Sequence, residues 1–209
     1  MTRRLAISDI HGEGKRLGKV LRLANYDPKQ DKLHLLGDYM DRGADSRDTI
    51  YAVMDLVYFG AIALRGNHDE MAIRAPDDPL VMKNWLKLGG DKTLKDFRGP
   101  IPANVLNWLI RLPLYTEYDD CILVHAGLKP DVPLDKQDHG ELLWIRKEFH
   151  EGYRGKRVIF GHSPTSWITG DSNFREVWHG PDKTGIDTGA AYGGPLTLLD
   201  IDSGETWTA

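Results

Sequence analysis

LHLLGDYMDRGADSRD, residues Leu33 to Asp48, is the stretch that decides the fold. An apolar run (Leu33, Leu35, Leu36) ends at Gly37 and delivers Asp38. Asp41, Arg42 and Gly43 follow at once, and Asp45 or Ser46 can cap the next helix. Two carboxylates, a guanidinium and two glycines between a strand and a helix make one edge of a site for metal and phosphate. Asp38 can bridge cations, Arg42 can grip an oxyanion through its bidentate fork, and the glycines let backbone approach closely.

The same pattern recurs on either side. Leu5-Ala6-Ile7 ends at Ser8-Asp9, Ala61 to Leu64 ends at Arg65-Gly66-Asn67-His68, Cys121 to Val124 runs into His125, and Arg157 to Phe160 ends at Gly161-His162. Leu114 to Glu117 is a further strand candidate. Leu17, Val20, Leu21 and Ala24 recur at helical spacing, as do Ile50, Val53, Met54 and Val57 before Gly60. Strands alternating with helices predict an α/β fold, and apolar runs that do not alternate suit strands covered on both faces. Residues 76–112 differ. Pro76-Asp77-Asp78-Pro79 breaks the chain, and two helical segments, around Leu80–Leu88 with Trp85 and Ala103–Leu112 with Trp108, flank Gly89-Gly90 and Gly99-Pro100. They are read as a helical insertion or cap within a single domain of residues 1–209, their tryptophans packing and able to line a groove. A later helix-like segment carries Trp144 and Arg146, and GIDTGAAYGG and LTLLDI read as short β elements joined by glycine turns.

Ligands in α/β sheets gather at the carboxyl ends of strands, where the loops converge. Asp9, Asp38, Asn67, His125 and His162 all stand there, and His11 shares a turn with Asp9. A mixed nitrogen and oxygen set without thiolate suits manganese, iron or zinc better than calcium or cuprous ion. Two such cations roughly 3.5–4 Å apart generate hydroxide at neutral pH and clamp an in-line displacement at phosphorus. His68 lies beside these donors without being needed as one. Asp41 could hold one of its ring nitrogens, favouring the imidazolium that protonates a leaving alkoxide. Arg42, Arg65 and Arg146 are candidates for gripping phosphoryl oxygens. Each has a plainer alternative: Arg42 as an ion-pair partner of Asp45 or Asp48, Arg65 as a brace for its loop, Arg146 as a surface helix residue. His34 lies inside a strand, away from the ligand end, where packing is expected. His139, His150 and His179 fall in polar stretches and are expected in solvent.

Composition narrows the classes. A chain of 209 residues with 41% apolar residues and six Trp can bury a substantial core as one domain. A net charge of −4 argues against a general nucleic-acid or anionic-membrane binder, so local cations must draw in any anionic substrate. The single cysteine, Cys121, lies in an apolar run and is expected to be a buried thiol. No window has signal-peptide or membrane-spanning character, and the expected location is cytoplasmic.

SDIHG (8–12), GDYMDRG (37–43), RGNHDE (65–70), VHAGL (124–128) and FGH (160–162), in this order, resemble the signature blocks of the calcineurin-like metallophosphoesterases. GDYMDRG and RGNHDE point to the phosphoprotein phosphatase branch, and WIRKEF and IDTGAAYGGPLTLLDI are similar to its small bacterial and phage members. The resemblance implies two mixed β-sheets sandwiched between helices. It implies two divalent metal ions, manganese before iron or zinc, with Asp9, His11 and Asp38 on the first and Asp38, Asn67, His125 and His162 on the second. His68 would be the general acid, paired with Asp41, while Arg42 and Arg146 would bind phosphate and Arg65 assist. The reaction implied is direct attack of a metal-bridging hydroxide on a phosphoserine or phosphothreonine monoester of a protein or peptide, with phosphotyrosine a further candidate. The symmetrical dinucleoside tetraphosphate hydrolases resemble the chain in the same blocks and are the alternative. A non-catalytic scaffold of this fold would be expected to have lost ligands, and a nuclease would need a basic tracking surface.

Overall fold

The apolar run at Leu5 becomes β1 (Arg4–Ile7), followed by α1 (Gly14–Leu23), β2 (Lys32–Leu35), α2 (Ser46–Tyr58), β3 (Ile62–Ala63) and α3 (Asn67–Arg74) in the computed structural model, which describes residues 2–209. Next come α4 (Pro79–Trp85), α5 (Asp91–Phe97), α6 (Ala103–Ile110), β4 (Tyr115–Glu117), β5 (Cys121–Val124), α7 (His139–Trp144) and α8 (Lys147–Gly152). The chain closes with β6 (Arg157–Phe160), α9 (Thr165–Thr169), β7 (Trp178–Gly180), β8 (Lys183–Gly185), β9 (Thr197–Asp200) and β10 (Thr206–Thr208). Among the described residues these strands form two five-stranded mixed sheets, ordered β10-β9-β1-β2-β3 and β4-β5-β6-β8-β7. Within them β1, β2 and β3 run parallel, as do β5, β6 and β8, while β9, β4 and β7 are antiparallel to their neighbours.

The two-residue period of a strand explains why the apolar runs do not alternate. In β1, Leu5 and Ile7 face a core shared with α1 and α2, while Ala6 faces the opposite way, into a core between the sheets with Leu36, Cys121, Leu123, Ile159 and Leu199. In β5 and β6, Ile122, Val124, Val158 and Phe160 face a third core with Leu142 and Phe149 of the helices beyond. Two sheets with helices outside both follow from this partition. No described helix is long and apolar enough to cross a membrane.

Three local expectations change. The segment 76–112 holds three α-helices rather than two, because the Gly89-Gly90 break is a turn of wide helix that leads directly into α5. Its helices pack into the body of the protein, as their tryptophans suggested: Trp85, Val105 and Leu109 belong to the largest core cluster. Trp144 ends α7, and Arg146 lies in the break before α8, not on a continuous helix. His150, expected in solvent, is half-buried against Phe160 and Trp178 with no partner for Nε2, and burial takes its pKa down to about 4.

Candidate active site

Every strand that was expected to deliver a donor ends at one crevice. Asp9 follows β1, Asp38 follows β2, Asn67 opens α3 after β3, His125 follows β5 and His162 follows β6; all are buried. The two sheets are stitched there. The His162 N–H donates to Asp9 Oδ2 at 2.8 Å, and His125 Nδ1 lies 2.7 Å from the Leu36 carbonyl. Two glycines permit the approach. A Cβ at Gly161 would lie 2.2 Å from Asp9 Oδ2, and one at Gly66 would lie 2.2 Å from Asp38 Oδ1. The turns are tight enough that six of the ten non-glycine residues with left-handed backbone among those described are site residues: Asp9, His11, Asp38, Asp41, Arg42 and His162. Each such position costs roughly 1–3 kcal/mol and persists only where the surroundings over-determine it.

Asp38 belongs to both groups of potential ligands, His11–Asp38–His68 and Asp38–His125–His162. His11 Nδ1 lies 2.7 Å from the Met40 carbonyl and must donate to it, which leaves Nε2 as a lone pair. The same logic applies to His125, held by Leu36. Burial drives His11 and His162 well below the ordinary imidazole range and lowers His125, so these rings are neutral donors of electron pairs. Burial, with the Arg42 charge beside it, drives His68 down as well, against the imidazolium expected of it beside Asp41. Burial, with repulsion from Asp9, drives Asp38 well above the carboxylate range.

His68 Nδ1 is 2.6 Å from Asp41 Oδ2. Asp41 also accepts from the Trp85 indole N–H at 2.8 Å and the Thr93 hydroxyl at 2.6 Å, yet burial lifts its pKa to about 7. The Arg42 guanidinium spans the mouth, with Nη1 2.7 Å from His11 Nε2 and Nη2 2.7 Å from His68 Nε2. It makes no ion pair with Asp45 or Asp48, and Lys15 lies 3.2 Å from Asp45 instead. Arg146 Nη1 donates to the His162 carbonyl and to Ser163 Oγ, both at 2.9 Å, and its guanidinium stacks 5.4 Å from Trp167. Arg65 is placed otherwise. Its nitrogens donate to the carbonyls of Leu109, Ile110 and Leu112 at the end of α6 and to Glu70 at 3.0 Å, so its contacts are those of a brace.

A family model described as calcineurin-like phosphoesterase matches residues 2–190. The chain belongs to that family. These phosphoesterases are metal-dependent hydrolases with a dinuclear metal site. The chain is 33% identical to serine/threonine-protein phosphatase 1 of Salmonella typhimurium over 93% of its own length and 90% of that relative's. It is also 33% identical to the symmetrical bis(5'-nucleosyl)-tetraphosphatase of Vibrio campbellii, over 62% of its length and 46% of the relative's. It thus spans about half the length of that second relative. A solved structure provisionally described as a diadenosine tetraphosphatase superposes with a TM-score of 0.77 at 23% identity, covering 100% of this chain and 93% of the other. The cold-active protein-tyrosine phosphatase of a psychrophilic Shewanella gives 0.65 at 17% identity, over 100% and 80%.

The donor set of this phosphoesterase suits divalent cations on its own chemistry. His125 Nε2, a lone pair, faces Asn67 Oδ1 at 2.8 Å, and His162 Nδ1 lies 2.8 Å from the same oxygen while its Nε2 is buried without a partner. Electron pairs gathered around a buried carboxylate are stabilised when cations sit among them.

Two groups at the site escaped sequence reasoning. Asp187, buried two residues beyond β8, feels the charges of Asp9, Arg42 and Arg146. Its signal was present in GIDTG, a short strand ended by a carboxylate. Asp69 accepts backbone N–H groups from Gly66, Asp38 and Tyr39 and so ties the β2 and β3 turns together. The insertion's role was hidden as well. Besides Trp85 and Thr93 on Asp41, Gly89 accepts the Arg42 N–H at 3.4 Å and Lys92 Nζ donates to the Arg42 carbonyl at 2.6 Å.

Proposed function

We propose that this chain is a protein phosphatase of the cytoplasm that hydrolyses phosphoserine and phosphothreonine monoesters, with phosphotyrosine as a further substrate. The observation that carries the choice is the match to a serine/threonine phosphatase over nearly the whole of both chains. In this reading Asp9, His11 and Asp38 hold one cation and Asp38, Asn67, His125 and His162 the other, manganese before iron or zinc. Bound there, the pair would acidify a water and offset charge on the phosphoryl oxygens.

The chain's own groups supply the rest. Arg42, bonded to His11 and His68, and Arg146, bonded to the His162 carbonyl, would be the grips for the phosphoryl oxygens. Asp41, fixed by Trp85 and Thr93, accepts from His68 Nδ1 and so aims Nε2 at the crevice. When Arg42 turns from His68 Nε2 to a phosphate, that nitrogen is freed to take up a proton from water, and the imidazolium so formed, held by Asp41, would pass it to the leaving alkoxide. Arg65 acts indirectly, by holding the β3 turn to α6.

The second reading, hydrolysis of symmetrical dinucleoside tetraphosphates, is favoured by the several tetraphosphatases among the relatives. Turnover of a phosphoserine peptide, a phosphotyrosine peptide and diadenosine tetraphosphate, with manganese added and omitted, separates the two. Phosphopeptide turnover that requires manganese is expected; a strong preference for the nucleotide would replace the first reading with the second.

A further inference from the structure

Arg42 is a wall common to two spaces. Its guanidinium lies on His11 and His68 at the crevice, and the same residue lines a half-open cleft of about 680 Å³ with residues of the start of α2 and of α5. The cleft is lined by five cationic residues, Arg42, Arg47, Lys92, Lys95 and Arg98, against three acidic ones, Glu13, Asp48 and Asp96.

The acids have other employment. Glu13 lies 3.4 Å from Arg16, Asp96 Oδ2 accepts the backbone N–H of Arg47 at 2.7 Å, and Asp48 sits in the first turn of α2, where the helix dipole favours an anion. Among the described residues no ion pair engages Arg47, Lys95 or Arg98.

Helix energetics account for only part of the cationic side. Lys95 and Arg98 stand at the carboxyl end of α5, where positive charge is favoured. Arg47 and Lys92 are each the second residue of a helix, at the end where the dipole opposes a cation. Among the described residues the Arg47 side chain has no partner, Lys92 meets only the Arg42 carbonyl, and both border the same concave space beside Arg42. In a chain of net charge −4 this is a local positive field, focused by the cleft's shape.

We propose that this cleft is a second anion subsite, receiving a further phosphate group carried by the substrate whose scissile phosphate is gripped by Arg42. The inference rests on the phosphoester-hydrolase reading of the crevice and deepens it, selecting substrates with two or more phosphates over simple monoesters. The second phosphate could belong to a neighbouring phosphoresidue of a peptide or to the phosphate chain of a nucleotide.

The double variant Arg47→Gln, Lys95→Gln tests it in the full chain with manganese. Substrates are p-nitrophenyl phosphate, a phosphoserine peptide, the same peptide with a second phosphoserine, and diadenosine tetraphosphate. The wild type should prefer the doubly phosphorylated peptide to the singly phosphorylated one. The variant should leave p-nitrophenyl phosphate and the single phosphopeptide unchanged while losing about ten-fold in kcat/KM, through KM, on a substrate with further phosphates. The loss should shrink as salt is raised. A loss confined to diadenosine tetraphosphate keeps the subsite and assigns the anion to a nucleotide, at the expense of the protein-phosphatase reading. Competition by the same compounds against p-nitrophenyl phosphate turnover reads binding even where a competitor is not cleaved. Equal affinity for singly and multiply phosphorylated competitors, in wild type and variant alike, overturns the subsite.

Discussion

The floor of the crevice and the insertion at 76–112 are built by opposite means. The floor consists of strand ends: buried carboxylates and neutral imidazoles, with Asp9, Asp38 and His162 on left-handed backbone. The insertion consists of helices whose Trp85, Val105 and Leu109 join an apolar core, and four of its residues, Trp85, Gly89, Lys92 and Thr93, hold Asp41 and Arg42 at the floor's edge. One region holds chemistry and strain; the other supplies the burial that keeps both in place. The segment read as a helical insertion or cap also clamps Asp41 and Arg42.

The contrast can be broken most severely at the floor. Asp38→Asn removes charge from the donor shared by both ligand groups, so turnover should fall by about a thousand-fold or more, with metal content per chain falling in elemental analysis. A variant that keeps its metal and its turnover would show that Asp38 is not shared. His68→Asn should slow turnover by about a hundred- to a thousand-fold while metal content stays near wild type, most for esters with poor leaving groups. Loss of metal instead would make His68 a ligand.

The clamp is tested next. Trp85→Phe keeps the ring in the core but removes the indole N–H from Asp41, and Thr93→Val removes the hydroxyl. Each should cost about ten-fold in kcat, and the cost should grow with leaving-group pKa because it acts through His68. A lowered Tm with unchanged leaving-group dependence would reduce the insertion to packing. The smallest effect separates the two arginines that the sequence treated alike. Arg65→Met should destabilise the fold by about 2 kcal/mol, by freeing carbonyls at the end of α6, and leave KM for small phosphoesters unchanged. Arg146→Met should raise that KM with little change in Tm, and the reverse pattern would exchange their roles.

Strand ends were legible because strand burial and ligand chemistry both write themselves into short contiguous runs. Leu5 to Asp9, Leu33 to Asp38 and Arg157 to His162 each carry an apolar stretch and its donor within six residues. Arg65 was not legible: its side chain is long, and its orientation depends on carbonyls some 45 residues away in sequence, exposed at the end of a helix. His150 was misplaced because its neighbours are polar in sequence while its ring packs on β6 and β7. Trp85 read as core and is core, yet its single N–H reaches Asp41 across 44 positions, which no local pattern encodes.

The amino-acid order alone therefore determined the family, the alternation of strands and helices, and the residue types at the crevice, since each depends on neighbours close along the chain. The tertiary structure decided that Arg65 braces the end of α6, what holds Asp41, that Asp187 feels the charge of Arg42 and Arg146, and that cations without ion pairs line a cleft beside Arg42. Those depend on packing between distant segments, where a side chain's direction is set by what happens to lie across the gap.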